Sequence, residues 1–224
     1  MKKNNYCFDP STPLIYKETQ NGQIKMNGIG EVYKTLGNDA IIYICAMTFN
    51  ETEHKAELNW KPAKICNTKS SQVVTIYLKP ENSISDSILE SENIIRVTPN
   101  HQFPTLSKTG YKDVEAYLLQ TGDKLIFERD RNYREYEKPL FLEDGEIAIE
   151  DILLDGSEHF VDYRHIVKVF QENIEESDFY GILLQDDSDK YFMLCNSAIS
   201  CVSDLPNSGK KDASFYSSSY ESPH

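Results

Sequence analysis

Residues 96–126 read RVTPNHQFPTLSKTGYKDVEAYLLQTGDKLI, and this stretch indicates the fold class. An apolar segment ends in TPNH at 98–101, a hairpin-like turn follows at 108–111, and a second turn at 121–124 precedes another apolar segment. Short apolar segments that alternate with turns containing Gly, Asp or Asn are typical of antiparallel strands. The stretch therefore predicts consecutive β-strands, the first of which ends with a threonine and a histidine.

The rest of the chain has the same rhythm. Helical periodicity is rare, and two segments, 85–93 and 146–154, could each form a short helix. We therefore predict an all-β domain with short helical or loop insertions. The apolar runs, rich in Ile, Val, Tyr and Phe, cover residues 13–16, 40–49, 73–78, 94–98, 116–119, 124–127, 160–170, 179–184 and 191–195.

Changes in composition predict the domain boundaries. Residues 128–138, ERDRNYREYEK, are highly charged and are interpreted as an insertion exposed to water. From Ser203 onward the chain is rich in serine and poor in aliphatic residues, so residues 206–224 are predicted to be a disordered tail. We expect one domain over residues 7–205, preceded by a short leader at residues 1–6.

The charge of the chain limits its partners. With 36 acidic and 23 basic residues the formal charge is −13, which disfavours binding to nucleic acid and to anionic membranes. The longest apolar run, AIIYICAM at 40–47, is far shorter than the roughly 20 residues of a membrane-spanning helix. No apolar segment follows the lysines near the N-terminus, so no secretory signal is predicted and a cytoplasmic location is favoured.

The five cysteines suggest one reactive thiol. They include no CxxC pair, so neither a disulfide framework nor a zinc ribbon is indicated. Cys45 and Cys195 lie in apolar runs, where a cysteine usually acts as a small buried hydrophobic residue. Cys7 lies beside polar residues near the N-terminus and is less easily explained by packing.

Other polar clusters do not indicate a metal or cofactor site. The acidic turn with Asp186, Asp187 and Asp189 lacks the spacing of a calcium loop and is interpreted as a solvated turn. His159 and His165 share no ligand spacing with a cysteine, so structural roles are favoured. We expect no cofactor and no metal, which disfavours a metal-dependent hydrolase.

The TPNH stretch resembles a block of hedgehog/intein (Hint) domains, which has T-x-x-H at a strand end and an L-x-x-G-D-x-[LV] turn further along. Thr98 and His101 match the first part, and Gly122, Asp123 and Leu125 match the second. Hint domains also open with a nucleophilic Cys or Ser and a turn carrying D-G or N-G. Residues 7–15, CFDPSTPLI, and the Asn-Gly pair at 21–22 are similar to that opening.

The C-terminal part resembles the Vint subgroup of Hint domains, which is often found with von Willebrand type A domains. An apolar strand at 179–184, a second at 191–195 and the CVSDL ending at 201–205 are similar to the last strands of that subgroup. The matches extend from Cys7 to Leu205, and it is their order that supports the resemblance. They imply a Hint-type twisted β fold.

The resemblance also implies a reaction. A thiol beside its own upstream amide can attack that carbonyl and convert the Tyr6–Cys7 bond into a thioester by an N-to-S acyl shift. The leaving nitrogen must be protonated, and an imidazole with a pKa of about 6.5 can do this at neutral pH. The resemblance assigns that role to His101, the nucleophile to Cys7, and activation of the scissile peptide to Thr98.

Three departures from the Hint pattern restrict the range of functions that the resemblance implies. The chain lacks the terminal His-Asn followed by Cys, Ser or Thr that splicing inteins use, so we expect cleavage without splicing. Gly181 stands in a strand position where many Hint domains have an aspartate that assists the thiol. Six residues precede Cys7, which offers no evident cargo. The partner is either an upstream polypeptide in cis or another protein, and the rival function is a catalytically inactive Hint-like binding or scaffold domain.

Overall fold

A computed structural model describes residues 6–50, 55–80, 94–107, 110–130, 151–154, 157–185, 191–194 and 198–201. The described part consists mainly of antiparallel strands with one short α-helix, so the all-β prediction is confirmed. The predicted tail at 206–224, the acidic turn at 186–189 and the possible helix at 85–93 lie outside these residues.

Most of the described elements are short strands. The long exceptions are β4 and β10. The elements are β1 Pro13–Lys17, β2 Lys25–Gly28, α1 Ile29–Leu36, β3 Ile42–Asn50, β4 Lys55–Pro80, β5 Ile94–Val97, β6 Gln102–Ser107, β7 Gly110–Glu115, a 3₁₀ turn Ala116–Leu118, β8 Lys124–Asp130, β9 Asp151–Leu154, β10 Ser157–Leu184, β11 Tyr191–Met193 and β12 Ile199–Cys201.

Strands β4 and β10 form the central ladder of the sheet. They pair antiparallel from Ala63 opposite Leu184 to Pro80 opposite Arg164, with irregularities in register at two places. The alternation of Val74, Ile76 and Leu78 buries one face of β4 in the main core. On either side of this pair, β3 joins β4 and β8 joins β10, whereas the short β9 pairs with both β4 and β10.

Three details differ from the sequence prediction. Residues 160–170 and 179–184 were expected as separate strands, but β10 runs through both because its polar middle also pairs with β4. The C-terminal part of the possible helix at 146–154 is strand β9, which pairs with both β4 and β10, so that helix prediction is wrong for Asp151–Leu154. The first three residues of the predicted insertion at 128–138 belong to β8, and the others lie outside the described residues.

Helix α1 was not predicted, although its apolar residues Ile29, Val32, Tyr33 and Leu36 have the i, i+3, i+4, i+7 spacing of one helical face. Its buried residues are Ile29, Gly30 and Val32. A Cβ atom on Gly30 would lie 2.6 Å from the Pro10 Cβ and 3.0 Å from a ring carbon of Tyr180. Glycine is therefore needed where the helix packs against the N-terminal segment.

That N-terminal segment lies between β5 and β10. The main chains of Phe8 and Tyr180 exchange two hydrogen bonds of 2.7 and 2.9 Å, and Phe8 also bridges to Val97. On the β5 side, Asp9 N–H donates to the Arg96 carbonyl, and the two side chains form an ion pair at 3.2 Å. Cys7 is thus held within the sheet. In the described part of the chain, no helix is long and apolar enough to cross a membrane.

Candidate functional site

The main chain of Cys7 is bonded to Thr98, the first residue after β5. The Cys7 N–H donates to the Thr98 hydroxyl at 3.2 Å, and that hydroxyl donates to the Cys7 carbonyl at 3.4 Å. The Thr98 N–H also donates to the Cys7 carbonyl at 2.9 Å. Because the nitrogen of Cys7 belongs to the Tyr6–Cys7 peptide bond, Thr98 contacts the nitrogen side of that bond.

The TPNH turn brings His101 close to the N-terminal segment that contains Cys7. His101 N–H donates to the Thr98 carbonyl at 3.0 Å, and the His101 carbonyl accepts from Ala116 N–H at 2.7 Å. Proline at the second position and asparagine at the third suit a tight turn at the end of a strand. The spacing of the T-x-x-H motif therefore places both side chains on Cys7 and its neighbours.

The His101 ring lies in a cage of aromatic side chains. Its centroid is 4.3 Å from that of Phe8, 4.7 Å from that of Phe103 and 5.9 Å from that of Tyr6. The residue has no solvent exposure. It thus contacts both side chains that flank Cys7.

One ring nitrogen of His101 is bonded and the other is not. Nε2 lies 2.7 Å from the hydroxyl of Ser200 on β12, whereas Nδ1 has no hydrogen-bond partner among the described residues. An unbonded buried nitrogen is uncommon, and such groups are often found at functional sites. Nδ1 is therefore available to a reacting group.

Burial changes the acid–base behaviour expected for His101. Loss of hydration lowers its pKa to about 3, and the main chain of Cys7 acts weakly in the opposite direction. That weak effect places the Cys7 main chain near the ring, without a hydrogen bond of good geometry to Nδ1. The expectation of an ordinary pKa near 6.5 is wrong, because a fully buried imidazole is neutral at neutral pH.

The Cys7 side chain packs in a different cluster from those of its neighbours Tyr6 and Phe8. Successive side chains of an extended segment point to opposite faces, and Tyr6 and Phe8 both face the imidazole. The thiol instead joins a small cluster with Val73, Phe179 and the partly buried Ile174.

The second part of the motif forms the turn before β8. Gly122 has φ +97°, a conformation that residues with a Cβ rarely adopt. The Asp123 carboxylate accepts from Gln120 N–H at 2.9 Å, and its carbonyl accepts from Ile166 N–H at 2.8 Å. These bonds attach the turn to β10, so the Gly-Asp pair has a structural role.

The sequence missed Ser200. Its signal was a polar residue between Ile199 and Cys201 in a short apolar strand, but a lone serine does not reveal whether it faces the core. The structure pairs Ser200 with Phe192 on β11, whose ring lies 5.8 Å from that of Phe8. Strands β11 and β12 thus close the site from the C-terminal side.

The described residues bring Cys7, Thr98 and His101 together and add Ser200. His165 lies elsewhere, on β10 opposite Lys79 and Lys124. In these described ranges no three His, Cys, Asp or Glu residues form a group that could hold a metal ion.

Several solved structures with a similar fold are inteins. No family model matches the sequence, and none of the curated proteins matches it. The transcription factor IIB Mvu mini-intein superposes with a TM-score of 0.52 at 16% identity, covering 88% of this chain and 99% of its own. An intein from a hyperthermophile gives 0.53 at 12%, with 88% and 99% covered.

The PabCDC21-1 intein is similar to the same extent, with a TM-score of 0.52 at 14% identity over 88% of this chain and 98% of the intein. At these identities the likeness is one of fold, and it spans almost the whole of each intein. Together with the antiparallel β architecture, it shows that this chain has the Hint fold of the inteins.

Proposed function

We propose that this protein cleaves the Tyr6–Cys7 peptide bond autocatalytically by an N-to-S acyl shift, without splicing. Cys7 is the nucleophile, and Thr98 and His101 activate the bond. One observation carries the proposal: the nitrogen of this particular peptide bond donates to the Thr98 hydroxyl while the His101 ring contacts both residues that flank the nucleophile. Such convergence on one main-chain amide is what activation of a peptide bond requires.

The reaction is balanced without an external reagent. The Cys7 sulfur bonds to the Tyr6 carbonyl carbon as the thiol loses its proton, the carbon–nitrogen bond breaks, and the nitrogen gains a proton. The product is a thioester, which water or a second thiol then cleaves. No cofactor takes part.

His101 acts on the nitrogen of the Tyr6–Cys7 peptide bond. Its ring contacts Tyr6 and Phe8, the residues on either side of Cys7, and we assign it the role of assisting the leaving amine. The ring is neutral at rest, because burial lowers its pKa to about 3. It must therefore take up a proton during the reaction, when negative charge develops at the attacked carbonyl and favours the imidazolium.

The natural substrate of this reaction is an upstream polypeptide attached in cis to Tyr6. The inteins that share the fold support this assignment, as does the position of Tyr6 next to the site. We assign residues 7–205 to the domain and 1–6 to the leader. The CVSDL sequence at 201–205 supports our assignment of the domain to the Vint subgroup.

A second function has its own support. The thiol lies among Val73, Phe179 and Ile174, and Gly181 stands where many Hint domains have an aspartate. A glycine at the position of the aspartate that assists the thiol is consistent with a Hint-like scaffold that binds a protein partner and has lost the reaction. The same experiment separates the two functions.

The test is a fusion of a folded reporter ahead of Tyr6, followed by intact mass with and without a thiol or hydroxylamine. We expect reporter release at Tyr6, abolished by Cys7→Ala and strongly slowed by His101→Ala. Cys66→Ala is the matched control, because this half-buried cysteine on β4 is remote in sequence from the motif. A folded wild-type fusion that stays intact for days would exclude the cleavage function and favour the scaffold.

A further inference from the structure

Tyr6 is almost fully buried, at 6% exposure. It supplies the carbonyl of the bond to be cleaved, so in the proposed reaction it belongs to the departing polypeptide. A residue that leaves with the product has no need to be part of a core. Its burial therefore calls for an explanation in terms of the site.

The Tyr6 side chain occupies a pocket made by several strands. It belongs to a cluster of buried side chains that is separate from the main core and whose other members come from β3, β4, β8, β11 and β12. One edge of the cluster meets the site, since the Tyr6 and His101 rings are in edge contact at 5.9 Å. Among the side chains of the pocket are Cys45, Met47, Leu58, Ile126 and Met193.

We propose that this pocket selects the residue before the scissile bond, so that the preferred substrate is an upstream polypeptide that ends in an aromatic residue. The inference rests on the proposed function and adds its specificity. Tyr6 acts as the anchor: filling the pocket fixes the Tyr6 carbonyl relative to Cys7 and Thr98. Small errors in such positioning cost large factors in rate.

The chemistry of the pocket indicates which side chains it rejects. Alanine would leave most of the volume unfilled, so the upstream chain would lose its anchor and the carbonyl its fixed position. A lysine ammonium would have to be buried among apolar and sulfur-containing side chains, which is strongly unfavourable without a counter-charge. Phenylalanine has nearly the same shape as tyrosine and fits the pocket.

The test uses the reporter fusion on the full chain, with rates of N-terminal cleavage measured in a fixed concentration of thiol. We expect Tyr6→Phe to react within about threefold of the wild type. Tyr6→Ala and Tyr6→Lys should react roughly 10- to 100-fold more slowly. Tyr6→Leu, which keeps an apolar side chain, should be intermediate and replaces Tyr6→Ala if that variant fails to fold.

Tyr16→Ala is the matched control. It removes the same side chain from a position that is also buried, at 3% exposure, but in the main core and on β1. Circular dichroism gives the folded fraction of every variant under the assay conditions. Rates are compared per folded molecule, so a general loss of stability is removed from the comparison.

Each outcome has one meaning. Selective slowing by Tyr6→Ala and Tyr6→Lys, with Tyr16→Ala near the wild type, supports the pocket. If Tyr6→Ala or Tyr6→Leu cleaves as fast as a wild-type fusion that itself cleaves, the proposed specificity is overturned. The cleavage function then remains intact. Equal slowing by Tyr6→Ala and Tyr16→Ala also overturns the specificity. A wild-type fusion that never forms a thioester overturns the proposed function, and the specificity with it.

Discussion

At the scale of single residues, the burial of His101 sets how the protein responds to acid. Its pKa is about 3 in the folded protein and about 6.5 in an unfolded chain. Between these values only the unfolded chain binds the proton, so stability is present above pH 6.5 and is lost as the pH falls toward 3. From pH 7 to pH 5 the expected contribution of this residue is about 2 kcal/mol.

Urea unfolding at the two pH values measures this contribution. His101→Gln removes the titrating group and keeps a polar side chain of similar length, so it corrects for carboxylates that also titrate. The free energy of unfolding should fall by about 2 kcal/mol more in the wild type than in the variant. An equal loss in both proteins would mean that the ring is hydrated in solution.

Ser200 is expected to stabilise the neutral ring. Its hydroxyl is fully buried and lies 2.7 Å from Nε2 of His101, so Ser200→Ala leaves that nitrogen without its bonded hydroxyl. The cost of an unsatisfied buried group is about 1–3 kcal/mol. Chemical denaturation checks this value, and Ser200→Thr, which keeps the hydroxyl, is the control. A loss below about 0.5 kcal/mol in Ser200→Ala would show that water replaces the hydroxyl.

Substitutions of Thr98 test whether its hydroxyl contributes to cleavage at the scissile nitrogen. Thr98→Val keeps the shape of the side chain and removes the hydroxyl that accepts from Cys7 N–H. We expect cleavage of the reporter fusion to slow roughly 10- to 100-fold, whereas Thr98→Ser should retain most of the rate. The measurement is the cleavage rate per folded molecule of each variant. If Thr98→Val cleaves as fast as Thr98→Ser, the Thr98 hydroxyl has no part in the mechanism.

At the scale of elements, the short T-x-x-H motif predicted more of the candidate site than the composition of the chain did. T-x-x-H placed Thr98 and His101 on one turn, because a tight turn at a strand end brings its first and last residues to the same segment. The sequence could not reveal Ser200, since β12 is brought to His101 by pairing with β11 and by long-range contacts with β6 and β8. The sequence did carry a signal for α1, the helical spacing of Ile29, Val32 and Leu36, but over only eight residues this spacing is easily overlooked.

The junction between α1 and the N-terminal segment should be sensitive to a single methyl group. A Cβ on residue 30 would lie 2.6 Å from the rigid ring of Pro10, so Gly30→Ala forces the helix and the segment apart. The expected loss of stability is about 1–3 kcal/mol, which exceeds the gain from better helix propensity. Thr35→Ala, at an exposed position of the same helix, is the control for thermal unfolding. Equal midpoints in the two variants would contradict the close approach.

At the scale of the whole molecule, the site depends on the complete sheet rather than on any one loop. Cys7 bonds to the residue after β5, Phe8 pairs with β10, and His101 reaches β12 through Ser200. Residues far apart in sequence thus hold the scissile bond from three sides. A site built in this way opens when the sheet opens, because few local movements could release Cys7 alone.

Thiol labelling tests this dependence. Cys7 has no solvent exposure, whereas Cys66 on β4 is half-buried. Under native conditions Cys66 should react with a maleimide first, and peptide mapping by mass spectrometry should find Cys7 unmodified. The labelling rate of Cys7 should then rise with urea with the slope of global unfolding, because its segment pairs with both β5 and β10 and is released only when the sheet opens. Phe8→Ala, which removes a fully buried ring beside Cys7, should accelerate that labelling by the factor that corresponds to its loss of stability, about 3–5 kcal/mol. Rapid modification of Cys7 in the absence of urea would instead show that the segment detaches locally, and the thiol would then be accessible to external acyl acceptors before the sheet unfolds.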